Sequence, residues 1–204
     1  MPDEYPPIDL NGVKTYSLKD RPSKVHVEEI AKVHQPGGSF RSFLDTLPDI
    51  LAAKDLLEIA QRIVNARKEN RPVIASMGAH FIKTGLTPLL IQLMEQRIIT
   101  AVAMNGAGII HDTELAMVGH TSEDVDRELG SGNFGMARET AEFINRATTE
   151  GVAKGSGLGE AIGQAILSHK LPNTRVSLLA AAVRLGIPVT IHVAMGADII
   201  HMHP

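Results

Sequence analysis

The residue types best suited to chemistry stand directly after short apolar runs. Asn105-Gly106-Ala107-Gly108 follows the apolar run 98–104, and a short helix is expected over 111–119. Ligands of an open α/β sheet lie beyond the carboxyl ends of its strands, where glycines let the backbone approach a phosphate closely and a helix N-terminus favours an anion. The pattern predicts a nucleotide site whose binding a valine at Gly106 would abolish with the fold intact. The alternative is a tight turn whose glycines supply only positive φ.

Two further groups of polar side chains could meet a ligand at these strand ends. His80 and Lys83 follow the apolar run 71–78, and Lys83 could pair with a phosphate as a point charge, although both could also be ordinary surface residues. His111 and Asp112 are adjacent, and such a pair can transfer a proton or hold a cation. Because neighbours on a helix point about 100° apart, the two cannot face one ligand equally. Asp112 could instead cap the helix that follows it.

Other chemical patterns are weak. Gly155-Ser156-Gly157-Leu158-Gly159 superficially matches a dinucleotide fingerprint, but no apolar strand precedes it and no acidic residue follows at the expected distance of about 20 residues. Three histidines crowd the C-terminus: His192, His201 and His203. His201 and His203 would share one face of a strand, yet the spacing supplies no third ligand. We therefore expect a hinge at the glycine cluster and no metal.

The elements that must position these residues alternate along the chain. Apolar runs predict strands at 71–78, 98–104 and 189–193, with a fourth possible at 199–202; helical patterns are found at 24–34, 87–96, 136–146, 159–169 and 177–185. This alternation predicts an α/β protein with a mainly parallel sheet flanked by helices. Residues 1–38 are expected to form an N-terminal arm with a short helix, and residues 39–204 the α/β domain.

Composition excludes several classes of protein. Of 204 residues 44% are hydrophobic, which excludes disorder for the bulk of the chain. A net charge of −3 and 3% aromatic residues argue against nucleic acid as a partner. The absence of Cys removes thiolate metal sites and Cys nucleophiles. With no signal peptide and no apolar stretch of the roughly 18 residues that a membrane span needs, we expect a soluble cytoplasmic protein without a membrane partner.

Three segments carry a resemblance to a known family. They are 78–86 (GAHFIKTGL), 98–112 (IITAVAMNGAGIIHD) and 186–198. Over most of residues 40–204 the chain resembles the deoxyhypusine synthase family, and it is most similar to the bacterial deoxyhypusine synthase-like branch. The resemblance implies a Rossmann-like, NAD-binding α/β domain in a homotetramer built from tight dimers, with active sites at the dimer interface.

The chemistry that the resemblance implies is NAD-dependent transfer of an aminobutyl group from spermidine to an amine, through imine intermediates. It implies NAD-binding residues at His80, Lys83, Asn105, Gly106, Ala107 and Gly108. It implies substrate-binding residues at His111, Asp112 and Asp198, of which His111 and Asp198 would be catalytic. The chain departs from the family where both Glu of the second glycine loop are replaced, by Ile110 and His111.

A second departure is that the chain ends at Pro204, before the family's imine-forming lysine. We therefore expect the C-terminal part of the family domain to be missing, and the 204-residue chain alone not to complete the transfer.

Three functional hypotheses follow. The first is an NAD-dependent aminoalkyl transferase whose acceptor is a small amine, giving a homospermidine-like polyamine or a guanidino product from agmatine. The second is a non-catalytic nucleotide-binding or assembly protein that retains the fold. The third is a metal-dependent hydrolase that uses the terminal histidines.

Overall fold

A computed structural model of the protein describes residue 5 and residues 7–203. The chain divides into two compact units, Met1–Gln61 and Arg62–Pro204. The predicted boundary after residue 38 stays a prediction. All of the candidate site residues belong to the second unit. Within the described residues, none of the helices combines the length and the apolarity needed to cross a membrane.

The sheet of the second unit has three strands, β1 (Ile74–Met77), β2 (Ala101–Asn105) and β3 (Val189–His192). They lie in the order β1-β2-β3, and both neighbouring pairs are parallel. The register pairs Met77 with Met104 and Asn105 with His192. The α/β class with a parallel sheet flanked by helices, predicted from the sequence, is confirmed. Because parallel strands end at one edge, the segments that follow all three strands are brought together there.

The helices have the following bounds: α1 (Phe40–Leu44), α2 (Leu51–Lys68), α3 (His80–Lys83), α4 (Thr87–Glu95), α5 (Gly106–Val118), α6 (Val125–Leu129), α7 (Arg138–Ala153), α8 (Leu158–Ser168) and α9 (Leu178–Leu185). Short 3-10 helices lie at Leu18–Asp20, Val27–Glu29, Thr174–Val176 and Ile199–Met202. The core of the second unit forms where the buried faces of α5, α7, α8 and α9 meet the sheet, and Ile109, Ile144, Ile162 and Leu179 in it have no exposed surface.

Three predicted elements differ in the structure. The helix expected at 24–34 is reduced to one 3-10 turn, because its apolar residues, such as Val27 and Val33, are exposed and a short helix without burial is marginal. The strand considered at 199–202 is a 3-10 helix. α5 begins at Gly106 rather than near His111, because the side chain of Asn105 caps it by accepting a hydrogen bond from the Gly108 amide at 3.2 Å.

Candidate active site

A cavity of about 260 Å³ opens beyond the carboxyl ends of the strands. Its walls come from segments that follow each strand: the end of α3 after β1, one face of α5 after β2, and residues 197–203 after β3. Residues 122–125 and 134–141 close the remaining side. Cavities at this edge are where α/β proteins bind small ligands, so the fold places this one where a site is expected.

Four of the residues predicted from the sequence line this cavity: Lys83, Ala107, His111 and Asp198. Five others are absent from its walls: His80, Asn105, Gly106, Gly108 and Asp112. For the residues of α5, the helix itself explains the separation, because it begins directly after β2 and turns only one face toward the cavity.

Gly106 and Gly108 are buried in the first turn of α5. Neither has a positive φ, so the tight-turn explanation is wrong. A Cβ atom on Gly106 would overlap the carboxylate of Asp198, and one on Gly108 would lie 2.5 Å from Sδ of Met104. Close packing against Asp198 and Met104 therefore explains why these two positions are glycine. A valine at Gly106 would disturb this packing, which corrects the expectation that the fold would stay intact.

Asp198 is held firmly at the edge of the cavity. Its side chain is 8% exposed, and Oδ2 accepts a hydrogen bond from the Ala194 amide at 2.8 Å. The carboxylate also lies against Gly106 at the start of α5. A carboxylate fixed in this way can hold an ammonium group without losing side-chain freedom on binding.

Asp112 has no exposed surface, and its carboxylate bonds to the start of α9 instead of lining the cavity. Its carboxylate accepts hydrogen bonds from the Ser177 hydroxyl at 2.7 Å, the Leu178 amide at 2.7 Å and the Leu179 amide at 3.1 Å. These donors form the N-terminus of α9, so Asp112 caps that helix and not its own, which Asn105 caps. With both oxygens occupied, Asp112 serves the helix packing rather than the amine-binding role predicted for it.

Burial raises the pKa of Asp112 to about 6, and the three hydrogen bonds at α9 oppose that rise. We expect the stability cost of Asp112→Asn to be larger at a pH of about 4 than at about 7. The folded-state pKa exceeds the ordinary value of 3.8. Between these two pKa values the folded chain therefore binds a proton that the unfolded chain does not. Below the ordinary pKa of 3.8, this proton therefore contributes its full stabilisation to the wild-type free energy of unfolding. That stabilisation is lost as the pH rises through the folded-state pKa of about 6.

Urea unfolding of the wild type and of Asp112→Asn at several pH values measures this difference directly. Asparagine does not titrate, so effects of other groups cancel between the two proteins. A difference that stays constant, or that grows toward neutral pH, would contradict the assignment.

His111 belongs to a polar network that was not predicted from the sequence. Nδ1 of His111 lies 2.7 Å from Oγ1 of Thr121, whose hydroxyl donates a short hydrogen bond to Oε2 of Glu114. The Thr140 hydroxyl donates to Oε1 of Glu114 at 3.1 Å. Burial lowers the pKa of His111, and the charges of Lys83 and His80 lower it further, while Glu114 opposes them. The lowered pKa favours the neutral imidazole, which can accept a proton.

Glu114 and Glu123 are functional candidates that were not predicted from the sequence, and both line the cavity. Oε2 of Glu123 accepts a hydrogen bond from the Gly135 amide at 2.6 Å, and His203 contacts the carbonyl of the same glycine at 3.1 Å. Glu114 could have been found, because it follows His111 by three residues and so shares its helix face. Nothing in the local sequence marks Glu123.

The cavity combines acidic and apolar walls. Three carboxylates, those of Glu114, Glu123 and Asp198, line it together with one ammonium group, that of Lys83. The larger apolar side chains of the lining are Ile110, Val125, Phe134, Ile199 and Ile200. Within the described part of the chain, no three His, Asp or Glu side chains converge as a metal would require. The wall chemistry suits a cation with an aliphatic body.

Similarity of the chain to known proteins is confined to solved structures. No protein-family model matches the chain, and no curated protein matches it. One similar solved structure is ArgZ, an arginine dihydrolase from the ornithine-ammonia cycle in cyanobacteria, in its apo form. It shares 18% identity and a TM-score of 0.49 over 75% of this chain and 20% of that chain. Another is a conserved LOR/SDH protein from Methanococcus maripaludis S2, with 18% identity and a TM-score of 0.48 over 95% of this chain and 48% of that one.

The chain thus spans less than half the length of either neighbour. Neither is described as a deoxyhypusine synthase, and the resemblance to that family stays a prediction from the sequence. With TM-scores below 0.5, neither likeness carries an argument, so any argument about activity has to come from the side chains of the cavity.

Proposed function

We propose that the protein is an NAD-dependent transferase that moves an aminoalkyl group from a polyamine such as spermidine to an amine acceptor. One observation carries the proposal: the carboxylates of Glu114, Glu123 and Asp198 share a cavity of about 260 Å³ with apolar walls. A polyamine alternates ammonium groups with methylene chains, so it matches both kinds of surface. The sequence resemblance to the deoxyhypusine synthase family supports the same reaction.

The residues available for NAD differ in part from those predicted. The Asp198 carboxylate lies at the N-terminus of α5, so a pyrophosphate would meet a negative charge there. The Gly108 amide at the same helix end already donates its hydrogen bond to the Asn105 side chain. Lys83 is exposed and makes no ion pair within the described residues, and the exposed His80 stands in the same short helix. These two residues fit the phosphates of NAD, which when bound supplies the hydride acceptor.

The chain's own residues would bind the amine and take up its proton. A carbon beside nitrogen releases hydride only when the nitrogen lone pair is free, so the bound ammonium group must first lose a proton. His111 lines the cavity, and its lowered pKa favours the neutral form that can accept that proton. Fixed carboxylates hold the rest of the polyamine so that one nitrogen stays near the imidazole. The apolar side chains reduce the access of water to the reacting carbon.

Product analysis tests the proposal. The protein is incubated with NAD and with spermidine, putrescine or agmatine in turn, and mass spectrometry identifies the products while NADH fluorescence follows the hydride step. We expect NADH and the oxidised amine, which are the two products of the hydride step, with at least one of these substrates, and neither in parallel reactions without NAD. If no amine in the panel gives either signal, the proposed activity is wrong.

We expect Asp198→Asn to weaken polyamine binding by roughly tenfold to a hundredfold. The change keeps the shape of the side chain and its acceptor for the Ala194 amide, but it removes a charge-assisted hydrogen bond worth about 1.5–3 kcal/mol. Calorimetric titration with spermidine measures the affinity, and thermal unfolding provides the control. Unchanged affinity together with a lowered melting temperature would show that Asp198 only stabilises the turn.

A further inference from the structure

We infer that Glu114 and Thr121 fix the ring tautomer of His111, so that its proton stands on Nδ1 and its Nε2 is the proton acceptor of the cavity. Glu114 and Thr121 are positioning residues in this arrangement, whereas His111 is the group that meets the substrate. The identity of the proton donor, an ammonium group of the amine, rests on the proposed function. The tautomer itself rests on the geometry of three side chains.

Counting protons determines the direction of each hydrogen bond. The Thr121 hydroxyl has a single proton, and it points to Oε2 of Glu114, which as a carboxylate can only accept. The contact of 2.7 Å between Oγ1 of Thr121 and Nδ1 of His111 is therefore a hydrogen bond only if Nδ1 donates. Nδ1 is 3.8 Å from Oε2 of Glu114, too far for a direct bond, so the hydroxyl connects the two.

The other end of the imidazole is left open. Nε2 of His111 makes no hydrogen bond to any residue in the described part of the chain, and the side chain lines the cavity. In the neutral ring a proton on Nδ1 leaves the lone pair on Nε2. A bound ammonium group can then transfer its proton to Nε2, which leaves a neutral amine and an imidazolium ion.

Burial gives this network its strength. The side chains of His111 and Glu114 are only 16% and 17% exposed, and hydrogen bonds in such surroundings are stronger than in water. The Thr140 hydroxyl holds the second oxygen of Glu114 at 3.1 Å, which fixes the carboxylate that orders Thr121. The side chains that shift the pKa of this ring are Glu114, Lys83 and His80, and of these only Glu114 stabilises the imidazolium ion formed after proton transfer.

Nitrogen NMR of the imidazole rings tests the tautomer without cofactor or substrate. The full chain is labelled with ¹⁵N, the His111 ring is assigned by its loss in His111→Gln, and spectra are recorded at a pH of about 8, where the ring is neutral. We expect Nδ1 to be protonated and Nε2 to be unprotonated in the wild type. A neutral His111 with its proton on Nε2 would overturn the inference, whatever the variants show.

Three variants distinguish the effect of the Thr121 hydroxyl on the tautomer from the effect of its surroundings. Thr121→Val removes the hydroxyl at nearly constant volume and is expected to shift the ring toward the other tautomer, whereas Thr121→Ser is expected to keep it. Thr148→Val is the matched control, because it removes a hydroxyl that donates to the Ile144 carbonyl, outside this network, and should leave the proton on Nδ1. An unchanged tautomer in a folded Thr121→Val would also overturn the inference.

The tautomer and the proposed function can fail separately. Absence of NADH and of oxidised amine with the expected tautomer would count against the activity alone. Formation of NADH and oxidised amine with the proton on Nε2 would count against the inference alone.

Discussion

Replacement of Asp112 by alanine is expected to lower the free energy of unfolding by about 2–4 kcal/mol at neutral pH. The substitution leaves the amides of Leu178 and Leu179 and the Ser177 hydroxyl without their acceptor at a fully buried helix end. Each buried donor that loses its partner costs about 1–3 kcal/mol, although removal of a buried charge offsets part of the sum. Urea unfolding monitored by circular dichroism measures the change.

Ser177→Ala is the matched control for this prediction. It removes one donor to Asp112 and the cap that Ser177 provides for the Ala180 amide, but both backbone amides keep the carboxylate. We expect it to cost about 1 kcal/mol, less than Asp112→Ala. Equal costs for the two variants would show that the hydroxyl and not the backbone amides accounts for the role of Asp112.

The sheet could be predicted because its signal is local. The apolar runs at 71–78 and 189–193 contain β1 and β3, and the run 98–104 overlaps β2, which ends one residue later at Asn105. Parallel strands covered by helices are typically continuous apolar runs, so their positions follow from composition, although every second residue of β1 and of β3 is exposed in the structure. The position of the cavity could be predicted as well, because parallel strands end at one edge of the sheet and Lys83, His111 and Asp198 each follow a strand. These three residues do line one cavity.

The partners of the site residues could not be predicted, because they lie far away in sequence. Asp112 bonds to residues 65 to 67 positions further along the chain, and no local pattern points to that contact. The same holds for the Asp198 carboxylate that lies against Gly106. A glycine after a strand indicates close approach, but whether a ligand or the protein itself makes the approach depends on tertiary packing.

Gly106→Val is expected to lower the free energy of unfolding by about 3 kcal/mol. The new side chain would overlap the Asp198 carboxylate, which cannot easily move because the Ala194 amide holds it at 2.8 Å and the residue is buried. A β-branched residue also has few rotamers by which to avoid the overlap. Chemical unfolding of the variant gives the cost. A folded variant with wild-type stability would show that the space beside Gly106 is free for a ligand.

A double-mutant cycle identifies the cause of that cost. Gly106→Ala is compared in the wild type and in Asp198→Ala, which removes the carboxylate that the new methyl group would meet. We expect the glycine substitution to cost about 1–2 kcal/mol less in the second background, since residues in contact are coupled by energies of this order. Equal costs in the two backgrounds would contradict the packing explanation. NAD affinity of the folded double variant then separates the two roles of the glycine: an affinity equal to that of Asp198→Ala alone means that the phosphates do not approach Gly106, because the added methyl group would block them.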